Sequence, residues 1–374
     1  MLLAKRMRIV LALTGVLTLL LSACGSTPEP EVVEVEKVVT EVVKEVVKET
    51  VVVEGTPQVV EKVVTQEAEP RELVVGISFN QATLYPGLGY EITGRVVHKG
   101  VYETLVTWAD DSLDELVPAL AESWEVSEDG QIFTFQLREG IKFHTGNEMT
   151  AADVKWTWER TMGLKGNPSF LFEGVESIET PDEYTVVVTK EAPDPAFLAK
   201  STYPAFGVLD SKVVMEQGGT SGPDADETDE AEEWLNQNSA GTGPFILKSW
   251  VAETEVVVEK FQDYWRGPAF FDRVIYRNIP DTATQKLTLE AGGIDIAVDV
   301  SSDQIGALEA NPEIKVVQGQ GTYMFFLLCN QNPEISGGIM NNPKVCEAMR
   351  YAMDYEGIRA LAGGSAITPA TIVP

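Results

Sequence analysis

Residues 105–158 constrain the fold more than any other part of the chain, because a hairpin pattern is followed there by a capped helix. The turn sequence Glu128-Asp129-Gly130 lies between two short runs, residues 124–126 and 132–137. Apolar residues alternate along the second run, which is typical of a strand with one buried face. They are Phe133, Phe135 and Leu137. We predict a β-hairpin that packs one face on a core and leaves the other in water.

A helix is predicted directly after this hairpin. Thr150 and Asp153 have the spacing of a capping box, in which each side chain bonds the backbone of the other residue. Val154, Trp158 and Met162 then recur at i, i+4 and i+8, so they share one face of a helix. We expect these three large side chains to lie in the core.

The folded part of the chain is predicted to begin with a buried strand. Residues 73–77 form a short apolar run, Leu-Val-Val-Gly-Ile, and Tyr85-Pro86-Gly87 follows as a turn signal.

The N-terminus has the pattern of a lipoprotein signal peptide, which we place at residues 1–23. Three basic residues precede a mainly apolar run over residues 9–21 that is too short to span a membrane as a mature helix. The run ends in Leu-Ser-Ala-Cys, so Cys24 is the expected lipidation site. Two acyl chains on this thiol would give stable anchoring. An ordinary secretory signal followed by chance by Cys is the alternative.

Residues 24–72 are predicted to be a lipid-anchored, low-complexity tether. Residues 28–70 repeat Val-Val-Lys/Thr-Glu units and contain no aromatic residue. The repeat of four does not match the 3.6 residues of a helical turn, and valine lowers helix propensity. We favour a solvated tether over a trimerising helical stalk.

Charge and cysteine content exclude several classes of protein. With 28 Lys and Arg against 58 Asp and Glu, the net charge is −30, which disfavours binding to nucleic acid or to anionic lipid. Besides Cys24 only Cys329 and Cys346 remain, so no disulfide framework is implied. We expect buried free thiols, and a disulfide between these two residues in an oxidising compartment is the alternative.

No catalytic or metal-binding motif is recognisable, so we expect no enzyme activity, no catalytic residue, no metal and no cofactor. The two histidines, His98 and His144, lack metal-ligand spacing, and we predict structural or solvated roles for them. The acidic run over residues 224–230 lacks the glycine of an EF-hand loop. We interpret it as a solvated acidic loop.

Several sequence blocks occur in a fixed order along the chain. They are residues 120–124 (LAESW), 135–146 (FQLREGIKFHTG), 150–154 (TAADV), 241–245 (GTGPF), 263–267 (DYWRG), 291–297 (AGGIDIA), 328–330 (LCN) and 345–354 (VCEAMRYAMD). Together they resemble the family-5 extracytoplasmic solute-binding proteins of ABC importers, the family of the oligopeptide-, dipeptide- and nickel-binding proteins. The resemblance extends from Leu73 to Pro374.

This resemblance implies an α/β, periplasmic-binding-protein-like fold of two lobes with an extra subdomain. It places lobe I at residues 73–114 and 240–316, the extra subdomain at 115–239, and the start of lobe II at 317–374. Members of the family continue for roughly another 150 residues, so we expect the C-terminal lobe to be incomplete. Cys346 stands where the family usually has Arg.

The resemblance also implies a set of ligand-binding residues. Gly89 and Tyr90 follow the first strand, Phe170 lies in a subdomain loop, and four further candidates lie at the entry to lobe II. Those four are Tyr323, Phe325, Phe326 and Asn330. For each aromatic residue, ordinary core packing is the alternative.

The expected function is capture of peptides by a monomeric, lipid-anchored subunit outside the membrane, in the periplasm or at the cell surface, with delivery to an ABC permease. Nickel chelates and oligosaccharides are the alternative ligands. A surface sensor or adhesive protein without a transport role is a second hypothesis, and a lipoprotein hydrolase is a third.

Overall fold

The structure is a computed structural model that describes residues 42–53, 56–67, 70–91, 94–110, 112, 114–319 and 328–361. It divides into two units, residues 1–69 and 70–374. The strands of the described residues are β1 (Val42–Val53), β2 (Thr56–Glu67), β3 (Glu72–Ile77), β4 (Val106–Trp108), β5 (Leu116–Pro118), β6 (Ala121–Val126), β7 (Ile132–Leu137), β8 (Val175–Asp182), β9 (Thr185–Lys190), β10 (Phe245–Val251), β11 (Glu255–Lys260), β12 (Arg273–Asn278) and β13 (Ile296–Ala297).

The helices of the same residues are short, with eight residues or fewer in most cases. They are α1 (Gly94–Val101), α2 (Ala151–Gly163), α3 (Phe197–Lys200), α4 (Ser211–Glu216), α5 (Ala225–Thr228), α6 (Glu232–Leu235), α7 (Thr282–Glu290), α8 (Ser302–Glu309), α9 (Pro333–Ser336), α10 (Pro343–Ala352) and α11 (Tyr355–Leu361), with 3-10 turns at Asn167–Phe172, Pro204–Phe206 and Ile339–Asn341. Among these helices, none has the length and apolar character needed to cross a bilayer.

The first unit contains an antiparallel pair, β1 and β2, in the segment predicted to be a tether. Val42 lies opposite Glu67 and Val53 lies opposite Thr56. The structure thus differs from both sequence-based alternatives, the solvated tether and the helical stalk. The β-branched valines that disfavour a helix favour a strand, and a second valine-rich segment supplies the backbone hydrogen bonds. The signal peptide and Cys24 lie outside the described residues.

The second unit contains a five-stranded mixed sheet in the order β10-β11-β12-β3-β13. β10, β11 and β12 pair antiparallel, whereas β3 is parallel to both of its neighbours, β12 and β13. The predicted strand at residues 73–77 is confirmed as β3, and its Val75 and Ile77 side chains are buried. Its central place explains the nearly continuous apolar run, because a strand in a parallel pair is covered on both faces.

The predicted hairpin and helix are confirmed in the neighbouring four-stranded sheet, which has the order β6-β7-β9-β8. β6 and β7 pair antiparallel, and the three alternating apolar side chains of β7 are at most 3% exposed. The capping box joins Thr150 and Asp153 at the start of α2. Trp158 is fully buried, and Met162 packs at the margin of the same core.

Two hydrophobic cores support these sheets. One contains buried residues between Leu105 and Val208, and the other contains residues of β3, α1 and the β10–β12 strands together with residues from Leu209 onward. The change of core therefore falls after Val208, while the subdomain boundaries at residues 115 and 239 remain predictions.

An ion pair between Arg160 and Asp229 is buried beside the second core. The Arg160 Nε and one terminal nitrogen donate to the two oxygens of Asp229 over 2.6 and 2.7 Å, and the side chains are 0 and 2% exposed. The prediction that residues 224–230 form a solvated acidic loop is therefore wrong for Asp229. The other four acidic side chains of this run are exposed, and the described residues contain no cluster of acidic, His or Cys side chains that could hold a metal.

The segment over residues 328–361 forms α9, α10 and α11 without a buried side chain. Leu328, Tyr351 and Leu361 are 76, 85 and 82% exposed. Cys329 and Cys346 are free but only partly covered, so the expectation that these thiols are buried is wrong. The Cys346 thiol donates a long hydrogen bond of 3.6 Å to the Met340 carbonyl oxygen.

Candidate functional site

The carboxyl ends of the parallel strands meet in a polar network at one edge of the five-stranded sheet. The Asp299 carboxylate accepts from the Ser78 backbone N–H over 2.6 Å and from the Gln285 amide over 3.1 Å. The Asn278 side chain accepts from the Phe79 backbone N–H over 3.1 Å. These bonds fix the start of the loop that follows β3. In open α/β sheets this edge is where ligands bind.

The loop after β3, residues 78–91, is held against the core at its middle. The Asn236 side-chain oxygen accepts from both the Thr83 hydroxyl and the Leu84 backbone N–H. The Tyr85 side chain is 1% exposed, and the Arg160 guanidinium lies 4.4 Å from its ring centroid. These contacts hold the middle of the loop in place, and Gly89 and Tyr90 at its end follow directly from this fixed part.

Two glycines allow this loop to approach its neighbours. A Cβ on Gly89 would lie 3.3 Å from the His98 ring. A Cβ on Gly166 would lie 2.7 Å from the Leu88 side chain, closer than real contacts allow. Because Gly166 directly precedes the 3-10 turn that carries Phe170, this close approach brings the two loops together.

Tyr90 and Phe170 lie in contact in the structure. Their ring centroids are 5.4 Å apart with the planes at 76°, an edge-to-face pair. Tyr203 completes the cluster: its ring centroid lies 5.1 Å from that of Tyr90, and its hydroxyl donates to the Tyr90 carbonyl oxygen over 3.1 Å. Tyr90 is 37% and Phe170 47% exposed, so both present ring surface to solvent. We call these three residues the aromatic cluster.

Arg95, on the first turn of α1, lies against the aromatic cluster. Its guanidinium carbon is 4.5 Å from the Tyr203 ring centroid, within the range of a cation–π contact. Three buried polar atoms nearby have no hydrogen-bond partner among the described residues: Arg95 Nε, Gln81 Oε1 and His98 Nε2. The Gln81 amide and the His98 ring both border Gly94, where α1 begins.

The two histidines have structural positions, in line with one of the predicted alternatives. The pKa of His98 is lowered to about 4, mainly by burial; a hydrogen bond with the Leu84 backbone opposes this shift, and the nearby Arg95 charge contributes to it. Burial also lowers the pKa of His144 to about 4. The His144 ring bonds the Ser239 hydroxyl over 3.0 Å and the Gly243 carbonyl oxygen over 2.9 Å.

Glu103 borders a separate cavity of about 190 Å³. Its carboxylate accepts from the Thr242 hydroxyl, the Tyr264 hydroxyl and the Trp265 indole over 2.9–3.0 Å. Burial raises the pKa of Glu103, and the three hydrogen bonds oppose that rise. Because both oxygens are already bonded to protein donors, Glu103 holds the loop around Tyr264 against the end of α1.

The remaining four predicted site residues lie between positions 323 and 330. Tyr323, Phe325 and Phe326 lie outside the described residues. Asn330 is exposed, and its side-chain oxygen accepts from the Asn332 backbone N–H over 2.9 Å, with no described contact to the aromatic cluster.

Sequence reasoning missed Arg95 and Tyr203. No motif singles them out, since they meet Tyr90 only through the tertiary fold.

Residues 115–374 match the bacterial extracellular solute-binding proteins, family 5, in the middle region of that family. The chain belongs to this family. The match covers more than half of the chain and confirms the resemblance inferred from the ordered blocks.

Curated family-5 relatives include two dipeptide- or glutathione-binding proteins of enteric bacteria. The probable D,D-dipeptide-binding periplasmic protein DdpA of Escherichia coli (strain K12) is 29% identical over 79% of this chain and 55% of its own length. The glutathione-binding protein GsiB of Escherichia coli O1:K1 / APEC is 30% identical over 81% of this chain and 56% of its own length. The chain thus spans about half the length of the curated relatives it matches.

Solved family-5 structures agree with the fold. The periplasmic binding protein DppA of Helicobacter pylori, in complex with the peptide STSA, is 28% identical with a TM-score of 0.57, over 65% of this chain and 50% of that one. NikZ of Campylobacter jejuni, in complex with Ni(L-His), has a TM-score of 0.67 over 80% of this chain and 56% of that one, and at 23% identity it bears on the fold alone. The α/β, periplasmic-binding-protein-like fold is therefore established.

Proposed function

We propose that this chain belongs to the solute-binding subunit of an ABC importer and contributes the first half of a peptide-binding cleft outside the membrane. The observation that carries the proposal is the aromatic cluster, in which Tyr90, at the end of the loop that follows β3, and Phe170 expose ring surface to solvent. Core packing, the alternative reading of these rings, would leave them covered. A binding role is favoured over catalysis, because the relatives named above are binding proteins.

Peptides are the ligand class that we favour. Two relatives carry a dipeptide or glutathione in their names, and the DppA structure holds the peptide STSA. The nickel complex in NikZ shows that related folds bind other solutes, so nickel chelates and oligosaccharides stay as alternative ligands. Flat aromatic surface suits an extended peptide, because rings stack on side chains and on peptide planes without fixing the sequence.

Binding is proposed to close two lobes on the ligand. The second surface would come from residues 317–374, with Tyr323, Phe325, Phe326 and Asn330 as candidates for ligand contact. The exposed apolar side chains of residues 328–361 support a role for this segment in further packing, since contiguous exposed apolar surface usually marks an interface. A ligand that contacts both lobes only when they are closed shifts the population to the closed form, which the permease would recognise.

Membrane attachment is proposed through Cys24 as a diacylated residue. The expected result is incorporation of labelled palmitate into the protein in a bacterial host. Its loss in a Cys24→Ser variant, with release of the chain from the membrane fraction, would support the anchor. Labelling that persists in the variant would rule out Cys24 as the acylated residue.

The peptide assignment is tested by measuring the melting temperature of the purified chain in the presence of a peptide library and of a glycan library. A ligand at one hundred times its dissociation constant stabilises the folded state by about 2.7 kcal/mol, which is enough to raise the melting temperature measurably. We expect short peptides to raise it and glycans to leave it unchanged. A shift with glycans and none with peptides would show that the peptide assignment is wrong.

A further inference from the structure

Cys329 and Cys346 lie in contact at the surface of the segment over residues 328–361. Their side chains are only partly covered, so a solute or another protein can reach both of them. A hydrogen bond between the two side chains raises the pKa of the Cys346 thiol. The same thiol bonds the Met340 carbonyl oxygen over 3.6 Å. Two accessible thiols therefore lie side by side.

The contact follows from a chain reversal between the two cysteines. Residues 330–345 form α9 and a 3-10 turn and then enter α10, and the 3-10 turn packs against both helices. Gly337 and Gly338 have φ angles of 62° and 78°, a left-handed conformation that glycine adopts at little cost. The Asn332 and Asn342 side chains each accept from a backbone N–H two positions ahead and so cap α9 and α10. Turn and capping residues thus return the chain, so that the two ends of this stretch meet.

A pair of thiols in contact can hold a metal ion or be joined by oxidation. A structural metal site usually needs four ligands, and the described part of the chain has no group of three or more Cys, His, Asp or Glu side chains placed to hold a metal. Oxidation needs the two sulfur atoms alone. Disulfides form and persist outside the cytoplasm, and the relative DdpA is a periplasmic protein. The location proposed for this chain therefore favours oxidation.

We propose that Cys329 and Cys346 form a reversible disulfide within the chain when they meet a disulfide-containing oxidant outside the membrane. This inference rests on the location given in the proposed function and is independent of which solute binds. The thiolate of one cysteine attacks a sulfur of the oxidant, forms a mixed disulfide and releases one thiolate of the oxidant. The thiolate of the other cysteine then attacks the cysteine sulfur of the mixed disulfide, so that the Cys329–Cys346 bond forms and the second thiolate of the oxidant leaves. Two electrons pass from the cysteines to the oxidant, whose two thiolates take up the two protons.

The disulfide would constrain a segment that has little packing of its own. No side chain of α9, α10 or α11 is buried. A bond between Cys329 and Cys346 closes the loop that contains α9 and the 3-10 turn, and it thereby removes conformational freedom from the unfolded segment. It supplies part of the constraint that the two hydrophobic cores give to the strands before it.

The test equilibrates the whole chain with reduced and oxidised glutathione, blocks the remaining thiols with iodoacetamide and digests the product with trypsin without reduction. Trypsin places the two cysteines in separate peptides, residues 316–344 and 345–350. We expect mass spectrometry to show these two peptides linked, with a mass two hydrogens below their sum, and separated after reduction. Cys24 lies in neither peptide, so it cannot give this product.

A relocated thiol is the matched control. Cys346→Ser combined with Ala348→Cys keeps a loop of nearly the same length but moves the thiol about 200° around α10, since each residue of a helix turns by about 100°. The equilibrium constant for linking should fall by about tenfold or more, because loop length alone no longer brings the sulfur atoms into contact. Neither side chain is buried, so the change disturbs no core. The single variants Cys329→Ser and Cys346→Ser should form only mixed disulfides with glutathione.

Three outcomes would overturn the proposal: glutathione on both cysteines without a linked product, links only between chains that increase with protein concentration, or equal linking in the wild type and the relocated variant. The result is separable from the peptide function. A linked product in a chain that no peptide stabilises supports the disulfide while the peptide function fails. Peptide binding without a linked product overturns the disulfide and leaves the peptide function in place.

Discussion

Replacing Asp229 with alanine should lower the free energy of unfolding by about 3–5 kcal/mol, because the buried Arg160 charge loses its counter-ion. The two side chains are 0 and 2% exposed and share hydrogen bonds of 2.6 and 2.7 Å. The Asp229 carboxylate also accepts from the Thr220 and Ala231 backbone N–H groups. One terminal nitrogen of Arg160 is buried without a hydrogen-bond partner among the described residues.

The measurement is a urea titration of the chain followed by tryptophan fluorescence, with the slope against urea checked for constancy. Asp226→Ala is the matched control in the same acidic run. It removes an ion pair with Lys165, whose side chain is 59% exposed, and should cost far less, because solvent screens the pair. A double variant, Arg160→Met with Asp229→Leu, should recover only part of the stability. An apolar pair needs no counter-ion, but the Thr220 and Ala231 backbone N–H groups lose the acceptor that Asp229 provides. Equal losses for Asp229→Ala and Asp226→Ala would refute this reasoning.

Three further predictions concern the site and its support. Tyr90→Ala and Phe170→Ala should each weaken the binding of a short peptide by roughly tenfold in a ligand-observed NMR titration, because an exposed stacking ring is removed. Unchanged affinity would exclude the aromatic cluster from the cleft. Protonation of His98 should lower the free energy of unfolding by about 3 kcal/mol as the pH drops from 6.5 to 4, since the unfolded chain protonates it at its usual pKa of 6.5 while the folded chain does so only at about 4. His144, whose pKa is also lowered to about 4, adds to the decline. Urea titrations at pH 7 and pH 4.5 should show a smaller decline for His98→Gln, and an equal decline would contradict this explanation. Gly241→Ala should destabilise the chain by roughly 2 kcal/mol or more, because its Cβ would overlap a carbonyl oxygen at the end of α1, whereas Gly306→Ala, in open space within α8, should stabilise it by about 1 kcal/mol. Similar effects of the two glycine substitutions in a thermal melt would show that the close approach at Gly241 does not matter.

Elements governed by near neighbours in the sequence were predictable. The hairpin of β6 and β7 follows from a turn sequence and an alternating run, and α2 follows from a capping box with apolar residues one turn apart. In both cases the interacting residues are close together in sequence, so local propensity and the fold agree. The ordered blocks likewise identified the family, because several of them in one order are specific where a single motif is not.

The valine-rich segment shows where local reasoning is incomplete. Its repeat of four argues against a helix, and its described residues, 42–53 and 56–67, form strands, but the pairing of β1 with β2 needs a second segment in register. Strand pairing is not encoded in one strand alone, because its hydrogen bonds are made to another part of the chain.

The sequence by itself determined the family, the local elements and the choice of Tyr90 and Phe170 as candidates. Only the tertiary structure placed these two rings in contact and added Tyr203, which is 113 positions from Tyr90, with Arg95 stacked on it. Tertiary structure also decided that Asp229 is buried while its acidic neighbours are solvated, since its partner Arg160 lies 69 positions away on α2. Charge and aromaticity are properties of single residues, whereas burial and pairing depend on what the fold brings beside them.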